Sequence, residues 1–131
     1  MTRAKSALIE FMDNKEFGRL FEKRTEDFSI LIIKLSASLP HDIESKILKN
    51  QLTKSGTSIG ANYREANRAR SNADFKNKIR ICESEASETI YWLTLIHRMG
   101  WETGEMFNTI RKEANEILAI LASISKNMNS K

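Results

Sequence analysis

A chain of 131 residues with only five glycines and one proline has few places to turn. Sandwiches and barrels need turn residues every ~8–12 positions. The scarcity therefore predicts long helices. The length suits one domain around one core. Cys82 is the single cysteine, so no internal disulfide or zinc-ligand spacing is available, and a reducing cytoplasm is the expected compartment. The longest apolar run, Phe28 to Leu39, is broken by Lys34 and falls short of the ~20 residues of a membrane span. The opening "MTRAKSALIEFMDNKEF" has acids where a signal peptide would be apolar, so an unexported, non-membrane protein is expected.

Four helical patterns follow. Thr25 to Leu39 carries Phe28, Leu31, Leu35 and Leu39 at spacings of three or four, and Pro40 stops it. Asp42 can cap a second helix whose stripe is Leu48, Leu52, Ile59, Tyr63 and Ala66, with Ser55 and Asn62 on the same face. Within it, "KSGTSIGANYREANRAR" reads as uninterrupted helix ending near Arg70. Gly56 and Gly60 would each cost about 1 kcal/mol in propensity, a loss that close approach of a neighbouring helix offsets. Ser71 and Asp74 fit a capping box opening a third helix, with a stripe at Phe75, Ile79, Cys82, Ala86, Ile90 and Leu93, and Gly100 suits the left-handed position beyond its end. The fourth, capped at Thr103, alternates three and four through Phe107, Ile110, Ala114, Ile117, Leu121, Ile124 and Met128, a heptad seam.

Short connections between amphipathic helices predict an all-α, antiparallel up-down-up-down four-helix bundle over residues 23–128. Residues 1–22 form an N-terminal extension whose weaker pattern (Leu8, Phe11, Met12, Phe17, Leu20, Phe21) fits a short docking helix or an ordered arm, and 129–131 a C-terminal tail. The third helix is also apolar at Ile81, Trp92, Leu95 and Met99, away from its stripe. Trp92 either covers the bundle's edge or meets another subunit. The extent of the second stripe favours a homo-oligomer interface.

Catalytic patterns are conspicuously missing. Neither His41 nor His97 has the glutamate three residues before it that a di-iron bundle uses, and neither has an arginine four to six residues before it, as some helical ribonucleases do. "SGTSIG" lacks the Gly-Lys-Ser/Thr ending of a phosphate-binding loop, and no metalloprotease or serine-hydrolase motif occurs. Cys82 and His97 read as packed residues. Glu85, Glu88 and His97 would be an enzyme's only candidates. No cofactor, metal or catalytic residue is expected. Glu85 and Glu88, among apolar neighbours, need partners, and a structural polar network with Asn62 and Glu65 is expected to supply them.

Charge is segregated. Between Lys46 and Arg80 stand nine bases and two acids, although the whole chain is only +4. Arg64, Arg68, Arg70, Lys76, Lys78 and Arg80, with Lys54 on the same outer side, should gather as a patch able to bind nucleic-acid phosphates. The alternative is a merely solvated basic face.

"TSIGANYREANRARSNADFKNKI" followed by "ESEASETIYWLTLI" resembles the four-helix-bundle family encoded by intervening sequences in bacterial 23S ribosomal RNA genes, sometimes labelled S23 ribosomal protein. The matching positions are Ser58, Ile59, Asn62 and Glu65, then Phe75, then Glu88, Trp92 and Leu93. Ala66 departs from the glycine that commonly follows the motif glutamate, and the N-terminal extension is longer than usual. The resemblance implies an antiparallel bundle, often a ring-like homopentamer, with no known catalytic activity. It also implies kinship with accessory variability proteins of diversity-generating retroelements, pentamers that bind nucleic acid and a reverse transcriptase through basic surfaces. The expected protein is a cytoplasmic, non-enzymatic homo-oligomer that binds RNA or DNA. The alternative is a protein-interaction scaffold or accessory subunit, for example of a reverse transcriptase, with no direct nucleic-acid role.

Overall fold

The computed structural model describes residues 14–102 and 104–129, and these form a four-helix bundle. Helix α1 spans Asn14–Ser38, α2 Ile43–Ala66, α3 Asn72–Arg98 and α4 Glu105–Asn129. Each helix packs on its neighbours in sequence, and α4 returns to α1. The contacts run antiparallel: along α1 and α2, Gly18 meets Asn67, Thr25 meets Gly60 and Ile32 meets Gly56.

Local chemistry sets the ends. Asp42 Oδ1 accepts the Ser45 amide at 2.8 Å, and Ser71 Oγ accepts the Asp74 amide at 3.0 Å. Each cap satisfies one of the amides that a helix start leaves without an intrahelical partner. At the end of α3, Gly100 has φ 72°, while its own amide and that of Trp101 return to the carbonyls of His97 and Ile96. That is a Schellman termination, placed where the glycine predicts it. The expected Thr103 cap lies outside the described residues.

The first helix begins eleven residues before the expected Thr25. Phe17 and Phe21 extend the Phe28–Leu39 stripe, and their rings stack with centroids 5.6 Å apart. Buried Thr25 sits within that stripe and hides its continuity in sequence, because its hydroxyl is satisfied by donating to the Glu22 carbonyl at 3.0 Å. Residues 14–22 of the expected extension are therefore the opening turns of α1. Leu8, Phe11 and Met12 lie outside the described residues.

The core unites Phe28, Ile32, Leu52, Ile59, Leu93 and Ile117, all fully buried. A buried hydroxyl pair crosses it: Thr89 Oγ1 and Ser55 Oγ share a hydrogen bond at 2.9 Å. Thus the inward-facing Ser55 has a partner on α3, a residue that the apolar pattern of α3 does not mark. The glycine stretch is helix only as far as Ala66, four residues short of the expected end near Arg70, because the chain turns at Asn67 toward α3; its small residues admit α1: a methyl built on Gly56 would stand 2.8 Å from Ile32, and one on Gly60 3.3 Å from the Thr25 backbone.

Candidate nucleic-acid interface

The bend between α2 and α3 brings the basic residues to one end of the bundle. Arg64 leaves the last turn of α2 with an exposed side chain, Arg68 and Arg70 stand exposed in the turn, and Lys76 and Arg80 follow on α3. Among the described residues no ion pair holds Arg70, Lys76 or Arg80.

The other members are partly neutralised. Lys78 turns back to Glu65, donating to its carboxylate at 2.8 Å, a contact that lowers the Glu65 pKa and raises that of Lys78. Glu22 of α1 reaches between Arg68, at 3.3 Å, and Arg64, at 3.7 Å. Its pKa is held below the ordinary carboxylate value chiefly by a hydrogen bond from the Asn67 side chain, with the arginines adding to the effect. Asn67 also donates to the Gly18 carbonyl at 3.1 Å, which fastens the end of α2 to α1.

Lys54 does not join this group. Ten positions before Arg64 on a continuous helix, it stands about 15 Å away along the axis and instead faces Glu85.

An open groove at the same end completes the site. Phe17, Tyr63, Phe75 and Met128 supply apolar surface, while Arg19 and Arg70 are among its basic members. Glu16, Glu22 and Glu26 also line it, so its charge is mixed. Sequence reasoning missed the contribution of α1, both Arg19 and the counter-ion Glu22. The available signal was Phe17 and Phe21 continuing a three-and-four spacing across Thr25. Tyr63 is buried against Phe21, edge to face at 4.7 Å, and burial raises its phenol pKa far above the ordinary value.

The expected polar network is not assembled as one unit. Asn62 Nδ2 donates to the Ser58 carbonyl of its own helix at 2.8 Å, Glu65 pairs with Lys78, and Glu88 accepts the Trp92 indole N–H at 3.3 Å. Each partner lies nearer than the far side of the network. Glu85 stays half-buried, its pKa raised first by burial and then by the charge of Glu88. The polar link buried between α2 and α3 at mid-bundle is instead Ser55 with Thr89.

Of the three groups that could serve an enzyme, Glu85 and Glu88 are neighbours on α3 but His97 is apart from them. His97 stacks on Phe107 of α4 at 6.0 Å, whereas Glu85 faces Lys54 of α2 and lies about 18 Å from His97 along α3. Cys82 is buried, with its thiol pKa pushed up to about 12 by that burial, and its Sγ lies 3.6 Å from the Ile59 carbonyl.

This chain matches the family described as 23S rRNA-intervening sequence protein over residues 21–123. It belongs to that family. The pattern shared with the family has a visible structural role here. Ile59 and Leu93 fill the core, while Asn62 with Ser58 and Glu88 with Trp92 make hydrogen bonds one helical turn apart on α2 and α3. A solved relative is a protein of unknown function from the S23 ribosomal protein family of Bacteroides thetaiotaomicron. It is 40% identical, and the match covers 80% of this chain and 97% of that one with a TM-score of 0.74. No curated protein matches. Among the described residues no helix is long and apolar enough to cross a membrane.

Proposed function

We propose that this family member is a non-enzymatic homo-oligomer, pentameric as its resemblance implies, that binds RNA or another nucleic acid through the α2–α3 end. The observation that carries the reading is the convergence of Arg70, Lys76 and Arg80, unpaired among the described residues, with Arg64 and Arg68 beside them. Guanidinium and ammonium groups release counterions when they meet phosphates, which gives affinity without base recognition. The adjoining Phe17 and Phe75 offer ring surface on which an unpaired base can stack. Glu22 tempers the site by sharing Arg64 and Arg68.

The test is fluorescence anisotropy with single-stranded RNA and DNA oligonucleotides at low salt. Arg64→Glu with Arg68→Glu should weaken binding, and Arg70→Glu with Arg80→Glu should weaken it further, since those two need not leave an existing carboxylate. Absence of binding to either polymer would defeat the proposal. A protein partner recruited after nuclease treatment, with no direct nucleic-acid affinity, would favour the scaffold reading.

A further inference from the structure

The open groove at the basic end joins two kinds of chemistry. Its apolar part is built on rings. Phe17 lies with one face against buried Phe21, centroids 5.6 Å apart and planes 15° from parallel, yet Phe17 itself is half-buried. The opposite face of Phe17 therefore ends a stack that a further planar ring can continue, and half-buried Phe75 of α3 lines the same groove. Arg19 on α1 and Arg70 in the α2–α3 turn bring exposed guanidinium groups to it, and among the described residues no ion pair holds either one. Glu16, Glu22 and Glu26 also line the groove. A phosphate chain laid along it would meet these carboxylates, whereas a nucleobase carries no charge and can lie among them.

We infer that this groove receives an unpaired nucleobase, so that the nucleic acid held at the basic end is single-stranded. The inference rests on the nucleic-acid reading above and adds the class of strand and the seat of its base. In a duplex each base is paired and stacked inside the helix and cannot reach Phe17. An unpaired base stacks on an aromatic side chain whatever its identity. Here the base continues the Phe21–Phe17 stack while its flanking phosphates meet the guanidinium groups of Arg19 and Arg70. Charge by itself selects the other way. A duplex carries more phosphate per unit length than a single strand, so contact with arginines alone favours the duplex. A preference for single strands must come from the bases, because phosphate contacts position a strand without reading it.

Three RNA probes of equal length, titrated against the full chain at one salt concentration, test this: an ordinary single strand, the same strand carrying abasic sites, and a blunt duplex. The ordinary strand should bind best, by about five- to a hundredfold over the abasic one, the range of one base stacked on an aromatic ring. The abasic strand keeps every phosphate, so equal affinity for it would overturn the groove as a base seat while leaving phosphate binding intact. A duplex bound as tightly as the ordinary strand would overturn single-strand selection. Binding to none of the three would defeat the nucleic-acid reading itself. These comparisons need no variant. Phe17→Leu keeps an apolar side chain against Phe21, and circular dichroism should show native helix. It should weaken the ordinary strand toward the abasic level and leave abasic and duplex affinities unchanged, and Phe17→Trp should restore the difference. A 2-aminopurine placed in the ordinary strand should be quenched by the wild-type protein and by Phe17→Trp. Equal quenching by Phe17→Leu would overturn Phe17 as the ring on which the base stacks.

Discussion

Gly56 has no room for a side chain. A methyl there would meet Ile32 Cγ2 at 2.8 Å and Cγ1 at 2.9 Å, too close for a core residue fixed between two helices. Gly56→Ala gains about 1 kcal/mol of helix propensity but meets an overpacking cost of ~1–3 kcal/mol. The overlap should win, with a net loss of up to about 2 kcal/mol in urea unfolding; a raised midpoint would show that the helices can separate freely. Glu22 gives a pH-dependent counterpart. Its pKa is depressed in the fold by Asn67, Arg68 and Arg64, so its stabilisation is present above the ordinary carboxylate value of 4.5 and is lost as pH falls through the depressed one. Glu22→Gln should therefore melt below wild type at pH ~7, and the gap should close below pH ~4. The same change should tighten RNA binding by releasing two arginines. The role of the glycines was legible from their spacing of four, whereas Glu22 lies more than forty positions from its arginines and no local pattern joins them.

At the level of the helices, sequence periodicity located α4 well because its seam is apolar at almost every inward position. It found the caps of α2 and α3 because Asp42 and Ser71 act through amides three positions away. The start of α1 and the inward turn of Thr89 were hidden for one reason: a threonine that bonds a carbonyl of its own helix can occupy a core position while reading as polar. The seam between α1 and α4 depends on a contact that periodicity does not encode. Arg24 Nε and Nη2 donate to the two oxygens of Glu113 at 2.8 and 2.6 Å, and Nη2 also reaches Glu116 at 3.3 Å. A bidentate, half-buried pair of this kind is stronger than a surface ion pair. Arg24→Ala should cost about 1.5–3 kcal/mol and raise amide exchange along α1 and α4 more than along α2 and α3. Equal exchange in all four helices would remove that seam's special role.

For the whole molecule, the segregation of charge was visible in sequence, and the bundle turns it into one basic end. How much of that charge remains available was not visible, because Glu22 and Glu65 become counter-ions only once α1, α2 and α3 are packed. The second apolar surface of α3 was legible through Trp92, Leu95 and Met99. Nucleic-acid binding by the basic end is the central claim, and its salt dependence tests it most directly. Affinity for single-stranded RNA should fall linearly on logarithmic axes as salt rises, and each phosphate-contacting arginine removed should reduce the slope by about 0.7. Wild-type binding that is absent at about 50 mM salt, or a slope unchanged by Arg70→Glu with Arg80→Glu, would contradict the account.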